Sequence, residues 1–178
     1  PFPPGLLMVI GEPWEEGIGA LGAITPAHRR LANIQGFLAK NSQRKRDTKV
    51  ALHPEPPLDD MLRTIAAARL ILNPEISLQA PPNLHQRHMA YLDAGINDWG
   101  GISPVTIDFI NPQHDWPEIR ALGDSCAAGG FDLTERLTVY PRFIEDRSAY
   151  LDPVLAGRIR TMARADGLAR QQTLEAAE

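Results

Sequence analysis

Four short apolar runs, each stopped by a turn or loop and each followed by a helix-patterned segment, restrict this chain more than any other feature. Gly5–Ile10 is continuously apolar and ends at Gly11-Glu12-Pro13, the pattern of a buried parallel strand halted by a turn. Asn33–Ala39 is the second run, and it empties into a polar loop, Lys40–Pro57, that carries Arg44-Lys45-Arg46 and three prolines. Ile76–Gln79 is the third, ended by Ala80-Pro81-Pro82-Asn83, and Ile96–Trp99 is the fourth, held between Gly95 and Gly100-Gly101. Helical spacing follows each run: Trp14 to about His28, with Pro26 expected to end it early; Leu58–Leu72; His85–Ala94; and Trp116 or Pro117 to Ala128. Strand and helix repeated four times predict α/β architecture, a parallel sheet with helices outside.

An open sheet of four strands would leave two apolar edges, which proteins normally pair or cover. A complete eight-stranded β/α barrel needs about 200 residues or more. With 178 residues and about four βα units, half of a TIM-type barrel is the better reading. Residues 1–130 would form it, and residues 131–178 a C-terminal extension. In that extension Phe131–Tyr140 could be a strand or an extended wrap. Asp152-Pro153 reads as an N-cap followed by proline at the first helical position, opening a helix over Pro153–Arg164. Gln171–Glu178 reads as a frayed tail. The chain starts without Met and enters a strand almost at once, the start expected of a piece cut from a longer protein.

Charge and composition remove several function classes. A net charge of −4 offers no basic field for nucleic acid or an anionic membrane. The longest apolar run, Leu6–Ile10, is far too short to cross a bilayer, and the N-terminus lacks the pattern of a signal peptide. Cys126 is the single cysteine, so no internal disulfide exists, and the cytoplasm is the default location.

In a β/α barrel the active face lies at the carboxyl ends of the strands. That rule selects Gly11-Glu12, Lys40-Asn41-Ser42, Gln79 to Asn83, and Asp98 to Pro104. Glu12 could orient a ligand, or simply cap the helix behind it. Gln79 and Asn83 bracket two prolines that stiffen the loop, and each carboxamide offers both a donor and an acceptor. Ordinary turn-making accounts for Asn83 equally well. Along a short strand, one of Asp98 and Trp99 should face the barrel axis and the other the helices. An axial carboxylate at a strand end reads as catalytic or substrate-binding. Gly100-Gly101 allow backbone to approach a ligand closely, or merely make a tight turn. His85 and His88 stand three apart on a helix without an apparent third metal ligand. No phosphate loop, nucleophile elbow, zinc spacing or dinucleotide fingerprint occurs.

Four longer stretches carry a resemblance: LQAPPNL at Leu78–Leu84, DAGINDWGGISPVT at Asp93–Thr106, FINPQHDWP at Phe109–Pro117 and ERLTVYPRFI at Glu135–Ile144. In order and spacing they resemble the cyclising half of the deazaflavin-forming radical S-adenosylmethionine enzymes, the 7,8-didemethyl-8-hydroxy-5-deazariboflavin synthases. The resemblance runs from Pro1 to about Gly167. It implies the second half of a radical S-adenosylmethionine barrel, strands five to eight, that takes part in cyclising a hydroxybenzyl-diaminouracil adduct with loss of ammonia. It also implies S-adenosylmethionine and a 4Fe-4S cluster in the complete enzyme. The cluster's CxxxCxxC loop is absent from this chain, so no metal ligand is assigned here and the chain alone should not turn over.

The resemblance assigns Gly11, Glu12 and Asn41 to the cofactor side; Val9 stands where the family has glycine, and Ser42 where it has phenylalanine. Gln79, Asn83, Trp99, Gly100, Gly101 and Ser103 fall on the substrate side, with Asp98 a proton acceptor during ring closure. Implied partners are the missing N-terminal half-barrel, the hydroxybenzyl-transferring radical subunit or fused domain, and a reductant such as ferredoxin or flavodoxin. Two other readings compete: a radical enzyme of menaquinone- or thiamin-pathway type, and a non-catalytic half-barrel that docks on a partner through its sheet edges.

Overall fold

The structure, a computed structural model, describes residues 1–8, 12–43, 51–52, 55–103, 105–146 and 148–170. The chain divides into two units, one comprising Phe2–Phe131 and the other Pro1 with the residues from Asp132 onward. The first holds a parallel sheet in the order β1-β2-β3, formed by β1 (Gly5–Met8), β2 (Gly36–Asn41) and β3 (Ser77–Gln79). Its helices are α1 (Trp14–Leu31), α2 (Leu58–Ile71), α3 (Ala90–Ala94) and α4 (Ile119–Ala128). No helix of the described residues is long and apolar enough to cross a membrane.

β2 is the central strand. It pairs with β1 from Gly5 opposite Leu38 to Met8 opposite Asn41, and with β3 from Gly36 opposite Ser77 to Leu38 opposite Gln79. Covered on both edges, it is mostly buried, with Phe37 and Ala39 in the core. This explains why the second strand lies later than its hydrophobicity suggested. Asn33–Gln35 makes only a bridge, Ile34 to Phe2, whereas Lys40 and Asn41 are drawn into the ladder opposite Leu7 and Met8. The sequence placed the strand by its apolar residues; pairing with β1 placed its polar end.

Around this sheet, α2 buries Met61, Thr64, Ile65 and Ala68, one stripe at helical spacing. Those side chains share a core with Leu21, Ile76, Leu78, Tyr91, Trp99 and Leu122. Full burial of residues such as Ile65 and Leu78 contributes about 1.5–3 kcal/mol each. Asp59 and Asp60 occupy the first turn of α2, where carboxylates oppose the positive end of the helix.

Three expectations are corrected. Pro26 does not end α1, which continues to Leu31. Tertiary contacts hold the segment around the proline: Thr25 Oγ1 donates to the Ile71 carbonyl at 3.0 Å and accepts from Asn73 N at 3.0 Å, and His28 lies buried 3.2 Å from Glu75. The third helix is not continuous from His85; Pro82–Leu84 forms a 3-10 turn, turns follow, and only Ala90–Ala94 is α-helical. The fourth strand shrinks to one parallel bridge, Gln79 with Asp98.

The bridge is reinforced by a side chain acting as ladder. Asn97 N donates to the Leu78 carbonyl at 3.1 Å, while Leu78 N donates to Asn97 Oδ1 at 2.8 Å. Arg69, reaching from α2, fastens the same segment: its Nε donates to the Gly95 carbonyl at 2.7 Å and its Nη2 to Asn97 Oδ1 at 2.9 Å. Gly95 sits at φ +117°, and a Cβ there would stand 3.1 Å from Arg69 Cβ and Cγ. The chain therefore needs glycine at this point for both conformation and space.

In the second unit, Phe131–Tyr140 is no strand; its described part is irregular up to α5 (Pro141–Glu145). A 3-10 turn, Ser148–Tyr150, precedes α6 (Pro153–Met162). Asp152 caps α6, accepting from Val154 N at 2.8 Å, with Pro153 in the first turn, as the sequence indicated. Gln171–Glu178 lie outside the described residues, as do Val9, Gly11 and Arg44–Arg46.

Candidate functional site at the carboxyl edge of the sheet

Parallel ladders put the carboxyl ends of all strands on one edge, which is where open and closed α/β sheets take their ligands. Asn41 ends β2, Gln79 ends β3, Asp98 is the bridge residue beside Gln79, and Glu12 follows β1. Four of the candidate side chains thus come from successive positions along one sheet edge. Gly11 falls outside the described residues.

Gln79 is buried, and Asp98 is half-buried beside it. Asp98 Oδ1 accepts from Gly100 N at 2.6 Å, so the aspartate closes a turn onto the glycine pair. Gly100 takes φ +75°, and a Cβ there would come within 3.8 Å of Gln79 Oε1. Gly100 therefore keeps backbone close to the Gln79 carboxamide, whereas an added Cβ at Gly101 would meet nothing within 4 Å. Trp99 points the other way: it is buried in the core, edge-on to the His88 ring at a centroid distance of 5.6 Å. Ser103 accepts from Thr106, from its backbone N at 3.0 Å and its hydroxyl at 2.7 Å, and so ties the loop that follows.

Beyond this edge lies an open cleft of about 550 Å³. Asn41, Gln43, Asn83, His85 and His114 are among its walls. Asn41 is buried, and both its Oδ1 and that of Asn83 are enclosed with no hydrogen-bond donor among the described residues. Buried carbonyl oxygens normally find a donor, and leaving one without costs about 1–3 kcal/mol. Both residues belong to the cleft wall, with these two oxygens themselves enclosed. His85 Nδ1 accepts from Arg87 N at 3.0 Å, which leaves its ring proton on Nε2 in the neutral form. Partial burial, then the charges of Arg87 and His88, lower its pKa below the usual histidine value.

Sequence reasoning overlooked Asp108. Its Oδ1 accepts from Ile110 N at 2.9 Å and Asn111 N at 3.1 Å; its Oδ2 accepts from Asn83 Nδ2 and Asn111 Nδ2, both at 3.0 Å. Burial pushes this carboxyl upward, but the bonds from the Asn111 and Asn83 side chains and the two backbone amides outweigh it and hold the pKa at about 2. The readable signal was Asp108 three residues before Asn111-Pro112, an Asx-turn pattern. Its 25-residue reach to Asn83 carried no local mark.

The described residues bring together no three His, Cys, Asp or Glu side chains that could hold a metal, and Cys126 is buried on α4. A 4Fe-4S cluster needs several thiolates, and these residues do not fit one.

The architecture and the polar carboxyl edge define a parallel α/β segment with its candidate site where enzymes of this class keep theirs. Among known proteins the chain is homologous to a segment of the deazaflavin-forming synthases. It is 43% identical over 171 residues to the FO synthase of Streptomyces avermitilis, covering 95% of this chain and 20% of that protein. It is 39% identical over 173 residues to the FO synthase of Mycobacterium tuberculosis, covering 96% and 20%. To the 7,8-didemethyl-8-hydroxy-5-deazariboflavin synthase of Methanopyrus kandleri it is 41% identical over 172 residues, covering 96% of this chain and 50% of that one. The chain thus spans a fifth to a half of the length of these relatives. The same segment recurs in proteins that differ about two-and-a-half-fold in length, so it lies in a unit common to both. No family model matches the chain, and no solved structure matches it.

Proposed function

We propose that this chain is the second half of the barrel of a radical S-adenosylmethionine lyase that forms the deazaflavin ring in coenzyme F(420) biosynthesis. The reaction is cyclisation of 5-amino-5-(4-hydroxybenzyl)-6-(D-ribitylimino)-5,6-dihydrouracil to 7,8-didemethyl-8-hydroxy-5-deazariboflavin with release of ammonia. The observation that carries this reading is the 41% identity to the Methanopyrus deazariboflavin synthase across 96% of the chain. The polar carboxyl edge supports it. Residues 1–130 would be the half-barrel and the remainder an extension.

In this reading the radical arises on groups held elsewhere in the complete enzyme. This segment binds the substrate and handles protons. Gln79 presents a carboxamide suited to the paired donors and acceptors of a uracil edge. Asp98, half-buried and oriented by Gly100 N, accepts a proton during ring closure. Trp99 supports this position from the core side through His88. Glu12 and Asn41 line the cofactor side, the side to which the family pattern also assigns Gly11. The N-terminal half-barrel, a hydroxybenzyl-transferring partner and a small electron donor complete the system.

The test is Asp98→Asn in the complete enzyme. S-adenosylmethionine cleavage should persist, while deazaflavin fluorescence falls roughly 100-fold or more, within the range of a lost general base. Unchanged deazaflavin formation would remove Asp98 from the mechanism.

A further inference from the structure

Gly100 and Gly101 are neighbours with different needs. Gly100 takes φ +75°, a conformation that side chains rarely adopt, so the chain itself calls for glycine there. Gly101 has no left-handed φ, and a Cβ built on it would meet nothing within 4 Å. Neither its own conformation nor the packing around it excludes a side chain. Glycine in such a place weakens folding, because it leaves the unfolded chain more freedom to lose.

Open glycines also occur at Gly19 of α1 and Gly157 of α6, but these stand inside helices, where peptide groups pair with one another. Gly101 is exposed, and among the described residues nothing pairs with its N–H or its carbonyl. It follows directly on Gly100, whose N–H is held by Asp98 Oδ1 and whose Cβ position is 3.8 Å from Gln79 Oε1. A bare Cα, flanked by an unpaired donor and an unpaired acceptor, thus lies open beside Gln79 and Asp98 at the carboxyl edge.

We propose that Gly101 is a specificity-determining contact: a planar, amide-bearing ring approaches its backbone through the space a Cβ would fill and pairs its own N–H and C=O edge with the Gly101 peptide groups. A backbone donor and acceptor match such an edge as a second amide would. The inference rests on the proposed function for the identity of the ring, the dihydrouracil of the substrate. The need for glycine at 101 then comes from the ligand, and at 100 from the chain.

Four proteins test this in the complete enzyme: wild type, Gly101→Ala, Gly100→Ala and Gly19→Ala. Gly101→Ala should keep or raise Tm, while its Kd for 7,8-didemethyl-8-hydroxy-5-deazariboflavin, read by the fluorescence of that compound, rises roughly 10- to 100-fold. Gly100→Ala should lower Tm. Gly19→Ala should keep or raise Tm with a Kd within about twofold of wild type. If Gly101→Ala binds the deazaflavin as wild type does, the inference is overturned. It is equally overturned if Gly101→Ala lowers Tm as far as Gly100→Ala, because the chain itself would then need the glycine. Should wild type neither bind nor form the deazaflavin, the proposed function fails, and uracil becomes the probe. In protein labelled with 15N-glycine, the Gly101 signal, assigned by its loss in Gly101→Ala, should shift on adding uracil; an unmoved signal overturns the inference.

Discussion

Replacing Asn97 by alanine should loosen the edge on which Asp98 stands. Asn97 Oδ1 is the acceptor for Leu78 N at 2.8 Å and for Arg69 Nη2 at 2.9 Å. Leu78 is fully buried in the middle of β3, so its amide loses its ladder partner when the carboxamide goes. A stranded buried N–H costs about 1–3 kcal/mol. Asn97 is itself exposed, so water can follow into the vacated space and the lower half of that range applies, about 1–2 kcal/mol. The Arg69 contact adds only a few tenths, roughly 0.2–0.5 kcal/mol, because it is solvent-exposed. For a chain of this size the sum corresponds to a Tm lower by roughly 2–10 °C. Asn97→Asp keeps an acceptor for both donors and should stay within about 0.5 kcal/mol of wild type. The assay is thermal and urea unfolding of both variants by far-UV circular dichroism and tryptophan fluorescence. If Asn97→Ala unfolds with wild type, or Asn97→Asp falls as far as Asn97→Ala, the side-chain ladder is not what holds this edge.

Gly95→Ala meets the same edge from its backbone. With φ at +117° and Arg69 3.1 Å from the new methyl, it should lose about 1–2 kcal/mol, and a Tm equal to wild type would contradict the close approach. Acid stability carries a sign as well. The folded Asp108 pKa, about 2, lies below its ordinary 3.8, so its contribution is present above about pH 4 and is lost as pH falls toward 2. Asp108→Asn should therefore flatten the fall in stability over that interval, and superimposable acid unfolding profiles would contradict the hydrogen-bonded carboxylate.

Local pattern carried much of the architecture. The apolar stripe of α2 is visible because residues 3.6 apart share a face whatever surrounds them, and the helix ends within one residue of its expected limit. Asp152-Pro153 announced α6 because a cap and its helix lie within three residues of each other. The Gln79–Asp98 neighbourhood was legible for the same reason: short apolar runs with turns behind them place their last residues on one edge once the sheet is parallel.

What the tertiary structure decided depends on contacts between distant residues. α1 passes Pro26 because Thr25 reaches Ile71 and Asn73, 46 and 48 positions away. The fourth strand is one bridge and a side-chain ladder because Arg69 and Asn97, 28 positions apart, meet there. Asn83 has a fixed face because Asp108 lies 25 positions downstream. By itself the sequence determined which segments could be strand or helix, the edge where their polar ends gather, and the resemblance to the deazaflavin-forming synthases. Only the folded chain decided which way Asn83 turns, because a carboxamide's donor and acceptor sides are alike in sequence and are distinguished by the partners brought to them.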